Sequence, residues 1–164
     1  MITQSGCVGE KEGSFSNDEL SWLVYDEDAI IEFRDQHDSV HHLVVDYKTE
    51  NTQLKSYYPI EAEIEIFNST NDENFRIYLM KDENTFNKYL RIAEVYIPFN
   101  LLESVDSVVV NNQVFNEVYI FEEDSSNVES GVIKVFFNKQ FGILKYVKTG
   151  DVIFEFEEPS EQRA

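Results

Sequence analysis

Cysteine is almost missing from this sequence. Cys7 stands alone among 164 residues, so no disulfide within the chain can staple the fold, and burial must hold it together. Basic residues are scarce as well: 13 Lys and Arg face 32 Asp and Glu, a formal net charge of -19. Phosphate backbones are bound by clustered Lys and Arg that release counterions, and no such cluster occurs, so no nucleic-acid partner is expected. An anionic membrane surface repels the chain for the same reason. No run approaches the roughly 18 apolar residues of a membrane helix, so no transmembrane segment is expected either. Glycine is limited to six residues, and three of them (Gly6, Gly9, Gly13) precede residue 14. The other three build neither a phosphate-cradling loop nor a dinucleotide fingerprint, and there is no Gly-x-Ser-x-Gly nucleophile elbow. The expectation is no catalytic residue and no cofactor.

What the chain does hold is apolar bulk: 42% hydrophobic and 14% aromatic residues, with 13 Phe and 9 Tyr. High charge produces disorder only where hydrophobicity is low, so the chain is expected to fold, and its length suits one core rather than two. Residues 1–18 read as a flexible acidic leader, 19–157 as a single β domain, and 158–164 as a polar tail broken by Pro159.

The segment Ile60-Glu61-Ala62-Glu63-Ile64-Glu65-Ile66 alternates strictly, apolar on one side and three glutamates on the other. A half-buried antiparallel strand needs that two-residue period. Further strands are expected over 29–34, 40–48, 75–81, 89–97, 107–110, 113–122, 131–137, 143–148 and 151–157, most of them rich in Val, Ile, Phe and Tyr. Asn111-Asn112 and Lys148-Thr149-Gly150-Asp151 read as tight turns, and 138–142 as a slightly longer loop. Helix is confined to one or two short turns. Ser16 and Glu19 have capping-box spacing for a turn through Trp22, and 100–105 offers another after Pro98. The fold class is therefore mainly β, an antiparallel meander of about nine or ten strands forming a sandwich or a curved part-barrel.

Candidate ligating groups fare poorly. His37, His41 and His42 lie close together, but on a strand His41 and His42 point to opposite faces and cannot share one metal ion. His37 with Asp35 or Asp38 would make a weak site at most, and no metal is expected. The acidic runs at 26–28, 71–74, 82–84 and 122–124 lack the glycine-bearing loop of a calcium hand. Tyr57-Tyr58, Tyr119, Phe121, Phe136-Phe137 and the single Trp22 could face a ligand, but aromatics at alternating positions are expected to pack a β core.

The C-terminal third carries a pattern of its own. Val110-Asn111-Asn112-Gln113-Val114-Phe115-Asn116-Glu117-Val118-Tyr119 precedes Val132-Ile133-Lys134-Val135-Phe136-Phe137-Asn138-Lys139-Gln140-Phe141-Gly142-Ile143-Leu144-Lys145-Tyr146. Residues 107–157 resemble the ending of small exported lipoproteins of Bacteroidota, most of them of unknown function, with Asn112 where a turn glycine is usual. The resemblance implies a signal peptide removed before the mature chain. It also makes Cys7, after Ser5-Gly6 and before Glu10-Lys11-Glu12, the candidate lipid-attachment site. The expected role is a non-enzymatic accessory or binding module of the cell envelope, periplasmic or at the surface. The alternatives are a carrier of an apolar ligand in an open half-barrel and, behind it, a hydrolase. Without the resemblance, the chain reads as a soluble cytoplasmic protein.

Overall fold

The computed structural model describes residues 15–48, 60–68, 74–82, 85–92, 95–122 and 131–157. Eleven strands form one antiparallel sheet: β1 (Ile30–Asp35), β2 (Val40–Lys48), β3 (Ile60–Phe67), β4 (Asn74–Lys81), β5 (Phe86–Ile92), β6 (Val95–Pro98), β7 (Glu103–Val110), β8 (Gln113–Glu122), β9 (Val132–Asn138), β10 (Gly142–Lys148) and β11 (Val152–Glu157). They lie in the order β6-β5-β4-β3-β2-β1-β11-β10-β9-β8-β7. The alternation at 60–66 does what its period demands: Ala62, Ile64 and Ile66 are buried while Glu61 and Glu63 stay partly exposed. One continuous sheet, rather than two stacked ones, makes this the part-barrel.

Three expectations shift. The segment 89–97 is not one strand but parts of two, β5 and β6, which pair antiparallel from Tyr89↔Pro98 to Ile92↔Val95. The helical turn expected over 100–105 is a 3-10 turn at Phe99–Leu101, and the chain is extended again from Glu103. Residues 15–18, counted with the leader, belong to the fold. Ser16 and Glu19 form the capping box of α1 (Asn17–Leu20), which stops short of Trp22. Residues 1–14 and 158–164 lie outside the described residues.

The sheet curls on itself. β4 and β10 are five places apart in the strand order, about 24 Å in a flat sheet. Yet the rings of Phe75 (β4) and Tyr146 (β10) are 5.2 Å apart, centroid to centroid. The two sheet edges, β6 and β7, are also consecutive in the chain, joined by the four residues 99–102. Because every neighbouring pair is antiparallel, the first and last of eleven strands run in the same sense. A chain passing from one edge to the other through a corner requires that parity.

Trp22 closes the open side. Its indole meets Phe99 (5.0 Å), Tyr119 on β8 (5.7 Å) and Phe137 on β9 (6.5 Å), while the Lys88 ammonium of β5 lies 4.1 Å over it from the opposite end of the sheet. The segment 15–25 runs between the two ends and is tied to both. Glu19 pairs with Lys81 of β4 at 2.8 Å, Asp18 with Lys139 at 3.2 Å, and Phe15 packs edge-on against Phe86. The Lys81 ammonium, with the Ser16 backbone N–H, holds the Glu19 carboxyl below its usual range. Further along, the Tyr25 hydroxyl accepts the Ile143 N–H at 2.6 Å, and Tyr47 donates to the Tyr25 carbonyl at 2.7 Å.

A second, smaller cluster of Val110, Phe115, Val118 and Leu144 packs apart from the main core. Val105–Val118 and Val108–Phe115 are cross-strand pairs three residues apart, which straight strands would place on opposite faces. Glu117, at φ 54°, breaks the alternation between them, so all four join one cluster. Asn111 and Asn112 supply the two positive φ values (47° and 62°) of the tip turn, as expected for a two-residue hairpin.

Gly142 shows how closely the segment at 15–25 is fitted. Its φ is +80°, and a Cβ there would lie 2.0 Å from the Tyr25 hydroxyl oxygen. Gly150 has a similar φ of +83° with open space around it. Replacing Gly150 with Ala should therefore lose only the backbone term, about 1 kcal/mol. Gly142→Ala adds the collision and should lose about 3 kcal/mol. Urea unfolding of the two variants checks this: equal losses would mean that Tyr25 does not press on the turn.

Candidate functional site

The polar side of β3–β6 is built by register. Three rows of cross-strand neighbours run across it: Glu61–Met80–Asn87, Glu63–Tyr78–Tyr89–Pro98 and Glu65–Arg76–Arg91–Tyr96. Their intervening residues (Ile64, Ile77, Leu79, Leu90) fill the core, so these side chains are turned to the other face by the pleat alone. A pocket of about 510 Å³ opens there, lined by Glu61, Glu63, Arg76, Tyr78, Met80, Tyr89 and Tyr96, with Ala62.

Ion pairs fix its floor. Arg76 reaches Glu63 at 3.2 Å and Glu65 at 2.9 Å, and Asn74 also bonds Glu65, which is buried. The tyrosines form one wall: ring centroids are 5.8 Å apart for Tyr78–Tyr89, 5.7 Å for Tyr78–Tyr96 and 6.4 Å for Tyr89–Tyr96. Those are ring-contact distances, so the three rings pack on each other and a ligand would lie against them rather than among them. Arg91 already places its guanidinium 4.7 Å over Tyr96. Burial, and the hydrogen bond that Tyr78 donates to Glu61, push the Tyr78 phenol up from its ordinary value. It stays a protonated donor at any physiological pH.

A second pocket of about 470 Å³ lies between Val114–Glu117 and 138–141, next to Ser21. Asn138 at its base is buried and bonded through both ends of its amide: the nitrogen donates to the Asn116 carbonyl at 2.6 Å and the oxygen accepts the N–H groups of Gln140 and Phe141. Lys139 turns to Asp18 and the Trp22 ring. The Asn-Lys-x-x-Gly stretch is thus a turn that docks the segment at 15–25. It is mechanical.

No family model, curated protein or solved structure matches this chain.

The residues singled out in the sequence are dispersed. His41 pairs with Asp35 (3.0 Å) and His42 with Glu32 (3.0 Å), and the register puts His41 opposite Phe33 and His42 opposite Glu32, on different faces. Among the described residues no group of three His, Cys, Asp or Glu side chains is placed to hold a metal ion. Asp26, Glu27 and Asp28 are exposed turn residues, and Asp82 accepts the Thr85 N–H at 2.7 Å as a turn brace. Trp22, Phe121 and Phe137 are core. Cys7, Tyr57, Tyr58 and parts of the other acidic runs lie outside the described residues. Tyr78, Tyr89 and Tyr96 form no local motif in the sequence, because they sit on three different strands. The usable signal was Tyr78 itself, an aromatic placed on the opposite phase from Phe75, Ile77 and Leu79.

Asp35 is a structural carboxylate. It accepts from the His41 ring, the Ser39 N–H (2.9 Å) and the His37 N–H (2.8 Å), and these bonds, the His41 one first, hold its carboxyl down at about 2. With the folded value below the ordinary one of about 3.9, its bracing of the β1–β2 turn is complete above about pH 4. That bracing is lost as pH falls through about 2. Carboxyl-carbon NMR titration should find Asp35 among the last acids to protonate. In Asp35→Asn the acid limb of the stability curve should flatten, and an ordinary Asp35 titration would contradict the assignment.

Proposed function

We propose that this protein is a non-enzymatic binding module of the cell envelope, tethered through a lipid on Cys7, with the tyrosine-walled pocket on β3–β6 as its ligand seat. The observation that carries the binding half is that pocket. It combines apolar wall and fixed charge in a shallow, half-open recess, on side chains held by sheet register rather than by loops. A recognition surface needs that preorganisation, because immobilising its groups at binding would otherwise oppose affinity.

The arrangement suits recognition better than proton transfer. Arg76 engages Glu63 and Glu65, and the Tyr78 phenol is held protonated by burial and by Glu61. The alternative carrier reading would seat an apolar ligand inside the curl. Trp22, Leu23 and Phe99 already occupy that space, all of them buried, which favours the outer seat. No helix among the described residues is long and apolar enough to cross a membrane, and a lipid on Cys7 would supply the attachment. The resemblance of residues 107–157 to exported lipoproteins supports the envelope half of the reading.

Expression of the precursor in its own host tests the tether. Mass spectrometry of the N-terminal peptide should show a diacylglycerol-type increment on Cys7, and Cys7→Ser should leave the membrane fraction. An unmodified Cys7 in a cytosolic chain would end the envelope assignment.

A further inference from the structure

The ligand class of the outer-face pocket can be narrowed, on the premise that this pocket is the binding seat. Its wall is three tyrosines and Met80, and its charged lining is Glu61, Glu63 and Arg76, two carboxylates against one guanidinium. Arg76 is already engaged, by Glu63 at 3.2 Å and by the neighbouring buried Glu65 at 2.9 Å. Glu61, partly exposed, faces the pocket with the Tyr78 hydroxyl as its bonded neighbour. The local balance is negative, inside a molecule whose net charge is -19. An anionic ligand meets repulsion at both ranges, whereas a cation is drawn in by both.

Tyrosine faces add a specific reason. The ring quadrupole attracts a cation over its face, best when the cation is weakly hydrated, as an alkylated ammonium is. Arg91 already covers the Tyr96 ring, which leaves Tyr78 and Tyr89 for an incoming cation, and with Arg91 and Glu65 counted the face still holds three carboxylates against two guanidiniums. The contacting rings leave no cage between them, so the cation would lie against the outer side of the wall, toward Glu61. A volume of about 510 Å³ accepts a small amine or one side chain, not a folded domain.

We infer that the pocket bounded by Glu61, Tyr78, Met80, Tyr89 and Tyr96 binds an alkylammonium group, its carbon against the tyrosine wall and its charge facing Glu61. The group could be carried by a small quaternary amine or by a lysine side chain of a peptide. The chemistry is shared, and the experiment separates the sources.

The test is an NMR titration of the full chain, following the ring signals of Tyr78, Tyr89 and Tyr96 and the Met80 methyl. The probes are choline, an acetylated and amidated Gly-Lys-Gly peptide, the neutral carbon isostere of choline, a neutral hexose and inorganic phosphate. Saturable shifts are expected with choline or the lysine peptide, and whichever binds tighter names the source. The isostere should bind about two- to fivefold more weakly, the size of one exposed cation–π contact. Glu61→Gln should weaken ammonium binding by about the same factor. Glu103→Gln, which removes the same charge from exposed β7, should leave it unchanged. Equal binding of choline and its isostere, or equal effects of the two Gln variants, would overturn the inference. If only the hexose or phosphate shifts these residues, the ammonium assignment falls while the pocket remains a ligand seat. If no probe shifts them, the ammonium assignment falls and the choice of this pocket falls with it.

Discussion

An indole held between the two ends of one sheet is the contact on which the rest of this structure depends. A curled antiparallel sheet of eleven strands has two edges and one apolar face, and unless something fills the space between the ends, that face meets water. Trp22 fills it, touching β8, β9 and the corner at Phe99 from one side and lying under Lys88 of β5 from the other. The short segment around it is tied to both ends by Glu19–Lys81 and Asp18–Lys139. These pairs are partly exposed and individually worth little. Their value is positional: they set where the indole sits, and burial supplies the energy.

Edges are the usual liability of an open sheet, and here they are short or marked. β6 has four residues and ends in Pro98, which has no N–H to offer a neighbour. β7 is longer, and Glu103 and Asp106 place charge along it. The -19 charge works in the same direction, since like-charged copies repel before edges can pair. On the outer face the same charge meets tyrosine and arginine in one place, where Glu61, Glu63 and Arg76 lie beside Tyr78, Tyr89 and Tyr96.

The strands were largely legible because their information is local. At 60–66 each residue's face follows from its neighbours, and the turns at Asn111-Asn112 and Gly150 announce themselves through residues that tolerate positive φ. Legibility failed where a boundary lacks such a mark. Nothing in Tyr89–Ile97 contains the glycine or proline that would have shown two strands in place of one, and Phe15 looked like leader because its partner, Phe86, is far along the chain. The candidate site was invisible for the same reason. Tyr78, Tyr89 and Tyr96 are each unremarkable, and they become a wall only when three strands are laid side by side in register.

By itself the amino-acid order determined that this is an antiparallel β protein with one wetted face, an unstapled core and a strongly negative surface. Those properties are sums over residues or two-residue rhythms, and no distant partner is needed to read them. Tertiary structure alone decided the curl, the corner joining the two edges, the use of the only tryptophan as a wedge and the meeting of tyrosines with Glu61. Each is a contact between segments tens of residues apart, set by sheet order and by packing volume, and neither quantity is written in any local stretch of sequence.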